Sequence, residues 1–100
     1  MLKINKTVEN GKAFFELEGR LDTVTAPDLE NELKASLNDV TELTLDFEKL
    51  EYISNAGLRV FLTVMQYMDE HNSRLTVKNV RPEIMSILEL TGFSANLNII

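Results

Sequence analysis

The sequence has no cysteine, one histidine, four glycines and two prolines in 100 residues. Without thiols there are no disulfides, no thiolate zinc sites and no Cys nucleophile, as is compatible with a reducing compartment. Apolar runs are short of the roughly 18–20 residues that a membrane-spanning helix needs. The start, Met1-Leu2-Lys3-Ile4-Asn5, has no long apolar core of the signal-peptide kind. A cytoplasmic protein is therefore expected. Basic residues are also few: ten Lys and Arg against sixteen Asp and Glu give a net charge of -6. They are scattered, and phosphate contacts require clustered cations, so nucleic-acid binding is not expected.

The residues that catalysis requires are equally thin. Gly11, Gly19, Gly57 and Gly92 are too far apart for either nucleotide-binding fingerprint. The lone histidine, His71, has no second ligand or base near it in sequence and sits where a long helix ends, so it reads as a C-terminal dipole or surface residue. Glu48, Glu51, Asp69 and Glu70 read as solvated faces, and Met1, Met65, Met68 and Met85 as an initiator and core fillers. No enzyme activity, metal or cofactor is expected.

What is present is the composition of an ordinary globular protein, 44% hydrophobic and 26% charged. The length suits one domain spanning residues 1–100. Leu2–Val8 and Lys12–Glu18 read as strands joined at Glu9-Asn10-Gly11, an Asn-Gly hairpin signal. Gly19–Val24 reads as a connection, and Thr25-Ala26-Pro27-Asp28 as a helix start with Thr25 as cap. That helix runs to about Leu37 with Leu29, Leu33, Ser36 and Leu37 inward. Glu42–Phe47 alternates cleanly as a strand. A helix over about Asn55–Glu70 follows, with Leu58, Phe61, Leu62, Val64, Met65 and Met68 on one side. Val60 and Tyr67 widen its stripe beyond the ~100° of a simple surface helix, leaving Arg59, Thr63, Gln66 and Glu70 as a polar strip. Arg74–Lys78 is a strand with Leu75 and Val77 inward. Arg81-Pro82-Glu83 opens a helix carrying Ile84, Ile87, Leu88 and Leu90, which Gly92 ends. The tail Leu97–Ile100 is an edge strand or a docked apolar end. Together these predict an α/β fold: a mixed four- to five-stranded sheet with helices mainly on one face.

The stretch Tyr52-Ile53-Ser54-Asn55-Ala56-Gly57-Leu58-Arg59 stands out, because a strand ends, small residues turn the chain and the longest helix begins. Free N–H groups and a positive dipole end point into such a turn. Ser54 or Asn55 can cap the helix, and Gly57 permits close packing or close approach of a partner.

Gly19-Arg20-Leu21-Asp22, Asp46-Phe47, Tyr52 to Leu58 and Leu90-Thr91-Gly92-Phe93 follow one another in an order and spacing that resembles the STAS domain family of bacterial anti-sigma factor antagonists. The resemblance implies a small binding module without catalysis. Its partner would be an anti-sigma factor that is also a serine kinase, with a phosphatase reversing phosphorylation of a Ser in the turn before the long helix. Such a phosphoryl group adds about -1.5 to -2 charge to a docking surface. In this chain Asn55 stands where the family has its acceptor, two residues before Gly57, and Ser54 is one residue out of place. Three readings follow: Asn55 only caps the helix; the protein is a permanently unphosphorylated antagonist; or Ser54 has become the acceptor. Asp22 either contacts a basic group of the partner or orders its own loop, and Arg59 either contacts the partner or serves solubility. The expected partner-binding surface is Asp22, Ser54, Asn55, Ala56, Gly57 and Arg59. The alternative function is a structural STAS subunit of a larger transporter or signalling assembly.

Overall fold

A computed structural model describes residues 1–90 and 98–100. The elements are β1 (Leu2–Glu9), β2 (Lys12–Leu21), α1 (Ala26–Ser36), β3 (Glu42–Ile53), α2 (Asn55–Glu70), β4 (Arg74–Lys78), α3 (Pro82–Leu90) and β5 (Asn98–Ile99). The five strands form one sheet in the order β1-β2-β3-β4-β5. The hairpin partners β1 and β2 are antiparallel, and β2 through β5 are mutually parallel. Parallel neighbours taken in chain order with right-handed crossovers put every connecting helix on the same side.

The buried side chains follow that geometry. Phe15 of β2 lies beside Leu45 of β3, which lies beside Val77 of β4, and all three are buried. Leu29 and Leu33 of α1, Leu58, Phe61, Val64 and Met68 of α2, and Ile84 and Leu88 of α3 complete the same core. On the other face Phe14, Glu16, Thr44, Thr76 and Lys78 are only half-buried. The clean alternation of β2 and early β3 is thus the signature of a sheet covered on one side.

Several elements differ from the sequence expectations. The segment Gly19–Leu21, read as connection, continues β2, and β3 runs six residues past Phe47 to Ile53. Two register shifts against β2, between Glu16 and Glu18 and between Gly19 and Arg20, each add a residue to β3. The buried positions of β3 therefore change from alternate residues to Phe47, Leu50 and Ile53, a spacing that hides a strand from a period-two reading. Thr25 occupies the N-cap position of α1 but makes no side-chain capping bond. Its hydroxyl donates instead to the Arg20 carbonyl at 2.8 Å. Leu62 and Leu90, placed inward from periodicity, are 39% and 88% exposed. The tail forms the short strand β5 beside β4, while Gly92, Phe93 and Leu97 lie outside the described residues.

If Leu50 is a core residue of a bulged β3, Leu50→Ala should lower the unfolding free energy by about 2–5 kcal/mol. The same truncation of Leu62, which the helical stripe had placed inside, should cost under about 1.5 kcal/mol. Urea denaturation of the two variants checks the contrast.

Candidate functional site

The ends of β2 and β3 bring the two halves of the surface together. Leu21 and Ile53 are neighbours across the parallel pair, and the carboxyl ends of parallel strands are where such sheets place their sites. The Ser54 N–H donates to the Leu21 carbonyl at 2.9 Å, so the turn into α2 is fastened to the last residue of β2. Ser54 has extended backbone, φ -94° and ψ 176°, and its hydroxyl accepts from the Gly57 N–H at 3.3 Å. Ser54 is therefore the cap of α2. Asn55 is not: it is the first helical residue, with an exposed side chain. The reading of Asn55 as a cap is corrected, because the hydroxyl one residue earlier has already satisfied the Gly57 donor.

Gly57 is buried, and its closeness is internal. A Cβ there would lie 2.8 Å from Leu21 Cγ and 3.0 Å from Ile53 Cγ1. The missing side chain lets the first turn of α2 rest directly on the ends of both strands. Ala56, half-buried, and Arg59, exposed, continue along the helix. With Thr23, Ala26, Pro27 and Val60 they line a groove of about 240 Å³ between the starts of α1 and α2.

Asp22 orders the facing loop. Its Oδ1 accepts from the N–H groups of Val24 at 3.0 Å and Thr25 at 3.1 Å, while its own N–H donates to the Thr25 hydroxyl at 2.9 Å. The Thr25 N–H foremost, with smaller help from its hydroxyl and the Val24 N–H and against some burial, holds the Asp22 carboxyl below its ordinary value of 3.8. The other oxygen, Oδ2, is 3.8 Å from Arg20 Nε. The Arg20 guanidinium lies 4.3 Å over the ring of Tyr52, its neighbour on β3. Arg20 and Tyr52, which lie within the motifs read from the sequence but were not counted among the partner-binding residues, and Val24, 81% exposed, thus lie at this surface. An apolar residue at the tip of a short polar loop was the one available signal for Val24.

The surface joins Asp22, Ser54, Asn55, Ala56 and Arg59, with Gly57 beneath them. His71 caps the far end of α2, where its Nδ1 is 2.8 Å from the Tyr67 carbonyl and its ring stacks on Tyr67. No group of three or more His, Cys, Asp or Glu that could hold a metal occurs among the described residues. No helix among them is long and apolar enough to cross a membrane.

A carboxyl held low by folding contributes stability that is present above its unfolded value and lost as pH falls through the folded one. Asp22→Asn should therefore lower the thermal midpoint near neutral pH. The difference from the parent chain should shrink below the ordinary carboxyl value of 3.8, as the parent's own Asp22 protonates. Thermal unfolding followed by circular dichroism across that range checks both parts.

The STAS domain family pattern matches residues 3–100. The chain is 30% identical over 93 residues to the protein of Bordetella bronchiseptica named as the anti-sigma factor antagonist BtrV, covering 92% of this chain and 80% of that one. It is 28% identical over 94 residues to the anti-sigma-B factor antagonist of Staphylococcus aureus, covering 91% and 85%. The fold is also that of the anti-sigma factor antagonist SpoIIAA in its unphosphorylated form, with a TM-score of 0.79 at 17% identity over 100% of this chain and 87% of that one. The chain belongs to the STAS domain family.

Proposed function

We propose that this protein is an anti-sigma factor antagonist that docks on an anti-sigma factor of the serine-kinase type through Asp22, Ser54, Asn55, Ala56 and Arg59. The observation that carries the reading is the end-to-end likeness to relatives named for that role, over 92% and 91% of the chain. A surface that offers shape, an apolar groove and two arginines, but no nucleophile beside a base, suits binding rather than chemistry.

The same surface supports an antagonist without a phosphate switch. Asn55 is exposed and in the first turn of α2, the place a kinase would reach, and it carries an amide rather than a hydroxyl. The hydroxyl next to it, on Ser54, is half-buried and turned back onto the first turn of α2, where it accepts the Gly57 N–H, so it is presented to a kinase less openly than the Asn55 side chain. Binding that nothing interrupts leaves the partner's sigma factor free for as long as the antagonist is present.

The test is incubation with the host's kinase-type anti-sigma factors and ATP, read by intact mass and by calorimetric binding. One of them should bind, with the mass of this chain unchanged. Asn55→Asp should weaken that binding about tenfold, ~1.4 kcal/mol, by placing a negative charge at the contact. An acidic residue in a first helical turn is favourable for the helix, so the thermal midpoint should not fall. Absence of binding to every such factor would refute the antagonist assignment. Addition of one phosphate at Ser54 with weakened binding would refute the loss of the switch.

A further inference from the structure

The sheet has one long uncovered edge among the described residues, the eight-residue strand β1. Its Asn10-Gly11 turn, with φ of 52° and 79°, is a two-residue hairpin loop of the kind that closes on a hydrogen-bonded pair, here Glu9 and Lys12. Such pairs recur at alternate residues along an antiparallel ladder. The bond from the Arg20 N–H to the Met1 carbonyl, 3.1 Å, shows that the same alternation holds at the other end of β1. The peptide groups of the odd-numbered residues therefore face β2. Those of Leu2, Ile4, Lys6 and Val8 face outward.

The charges on the uncovered face of the sheet form two rows that stop at this edge. One row runs Arg74, Glu42, Lys12, Glu9 across β4, β3, β2 and β1, and the other runs Lys49, Glu18, Lys3 across β3, β2 and β1. The signs alternate along each. Lys12 is 3.4 Å from Glu42 and Lys49 is 3.8 Å from Glu18, so the inner members are paired. Lys3 and Glu9, the outermost members, have no ion-pair partner among the described residues. They are opposite in sign and stand at opposite ends of the same strand.

We propose that β1 is an interface with a second copy of this chain, the two β1 strands pairing antiparallel about a two-fold axis at Lys6. Lys3 of each copy then faces Glu9 of the other, and each row of alternating charge continues unbroken across the joint into the other row. On the helix side, Ile4 faces Val8 of the second copy, covering Val8, which is 49% exposed in the single chain. The outward peptide groups of Ile4, Lys6 and Val8 supply the ladder. Lysine on an edge strand ordinarily discourages such pairing, and the two Lys6 residues would meet on the axis. Each is instead drawn back to its own α1, paired with Glu32 and 3.3 Å from Ser36 Oγ. No face of the partner-binding surface is used.

Sedimentation equilibrium on the intact chain and three variants tests this. The parent chain should be a dimer. Lys3→Glu and Glu9→Lys each replace two opposite-charge pairs with two like-charge pairs, and each alone should raise the dissociation constant about tenfold or more. Mixed in equal amounts the two variant chains are complementary and should dimerise again. Val8→Pro removes an outward N–H while leaving the β1–β2 ladder whole, and should give a monomer with the parent's circular dichroism spectrum. A parent chain that stays monomeric at millimolar concentration overturns the proposal. So does a dimer that survives Val8→Pro, or variant chains that fail to recover on mixing.

Discussion

The contact on which the rest of the structure depends is the seating of Gly57 on Leu21 and Ile53. Its Cα lies close enough to both side chains that a single methyl group could not be added without displacing them. The hydrogen bond from Ser54 to the Leu21 carbonyl fastens the same point from the backbone side. Together they fix where α2 starts and at what height above the strand ends. Its apolar stripe then falls over the sheet rather than beside it. Because Leu21 is also the last residue of β2, the loop ordered by Asp22 emerges next to the turn at Ser54 and Asn55. One steric constraint thus builds the core and assembles the surface.

Repetition, by contrast, decided which parts of the molecule were readable in the sequence. The β1–β2 hairpin, early β3, α2 and the one-sided sheet were legible because each is repetitive: alternation or a helical stripe sums over many residues and survives individual exceptions. What escaped were single events. One extra residue in β3 turned Leu50 inward out of phase with Leu43 and Leu45, and a second brought Ile53 back into phase, and no local pattern marks a bulge in advance. Thr25 and Asn55 were both sound capping residues by type, yet the one donates back to Arg20 and the other was pre-empted by Ser54. Capping is decided by which oxygen reaches the donor, and several adjacent residues of similar chemistry competed for it.

The surface itself was half legible. The loop at Asp22 and the turn over residues 54–57 could be picked out, since the motifs that resemble the STAS family carry them, but what each side chain touches required the structure. Asp22 turned out to spend one carboxylate oxygen on its own loop, leaving the other beside Arg20. Arg20 in turn is stacked on Tyr52. The acidic side chain proposed to meet a partner is therefore also the one that shapes the loop. Substituting it changes the loop as well as the charge, so a loss of binding at Asp22 speaks for the partner contact only when the fold of the Val24 loop has been checked separately.

The position of that surface relative to β1 has a further consequence. Leu2 lies beside Gly19, so the Leu2 end of β1 is the end nearest the docking surface, and the hairpin turn at Asn10 is the end farthest from it. Antiparallel pairing of two β1 strands sets the Leu2 end of one copy against the hairpin end of the other. The two docking surfaces then lie at opposite ends of one ten-stranded sheet. Lys3 and Glu9 alone are separated by about 20 Å along an extended strand, and each surface projects beyond that. In that arrangement neither copy would stand over the other's Ser54 turn. A dimer of this form presents two independent docking surfaces facing away from each other, so a partner that is itself dimeric would be bridged between assemblies rather than clasped by one. Binding would then follow the separation of sites rather than any new contact.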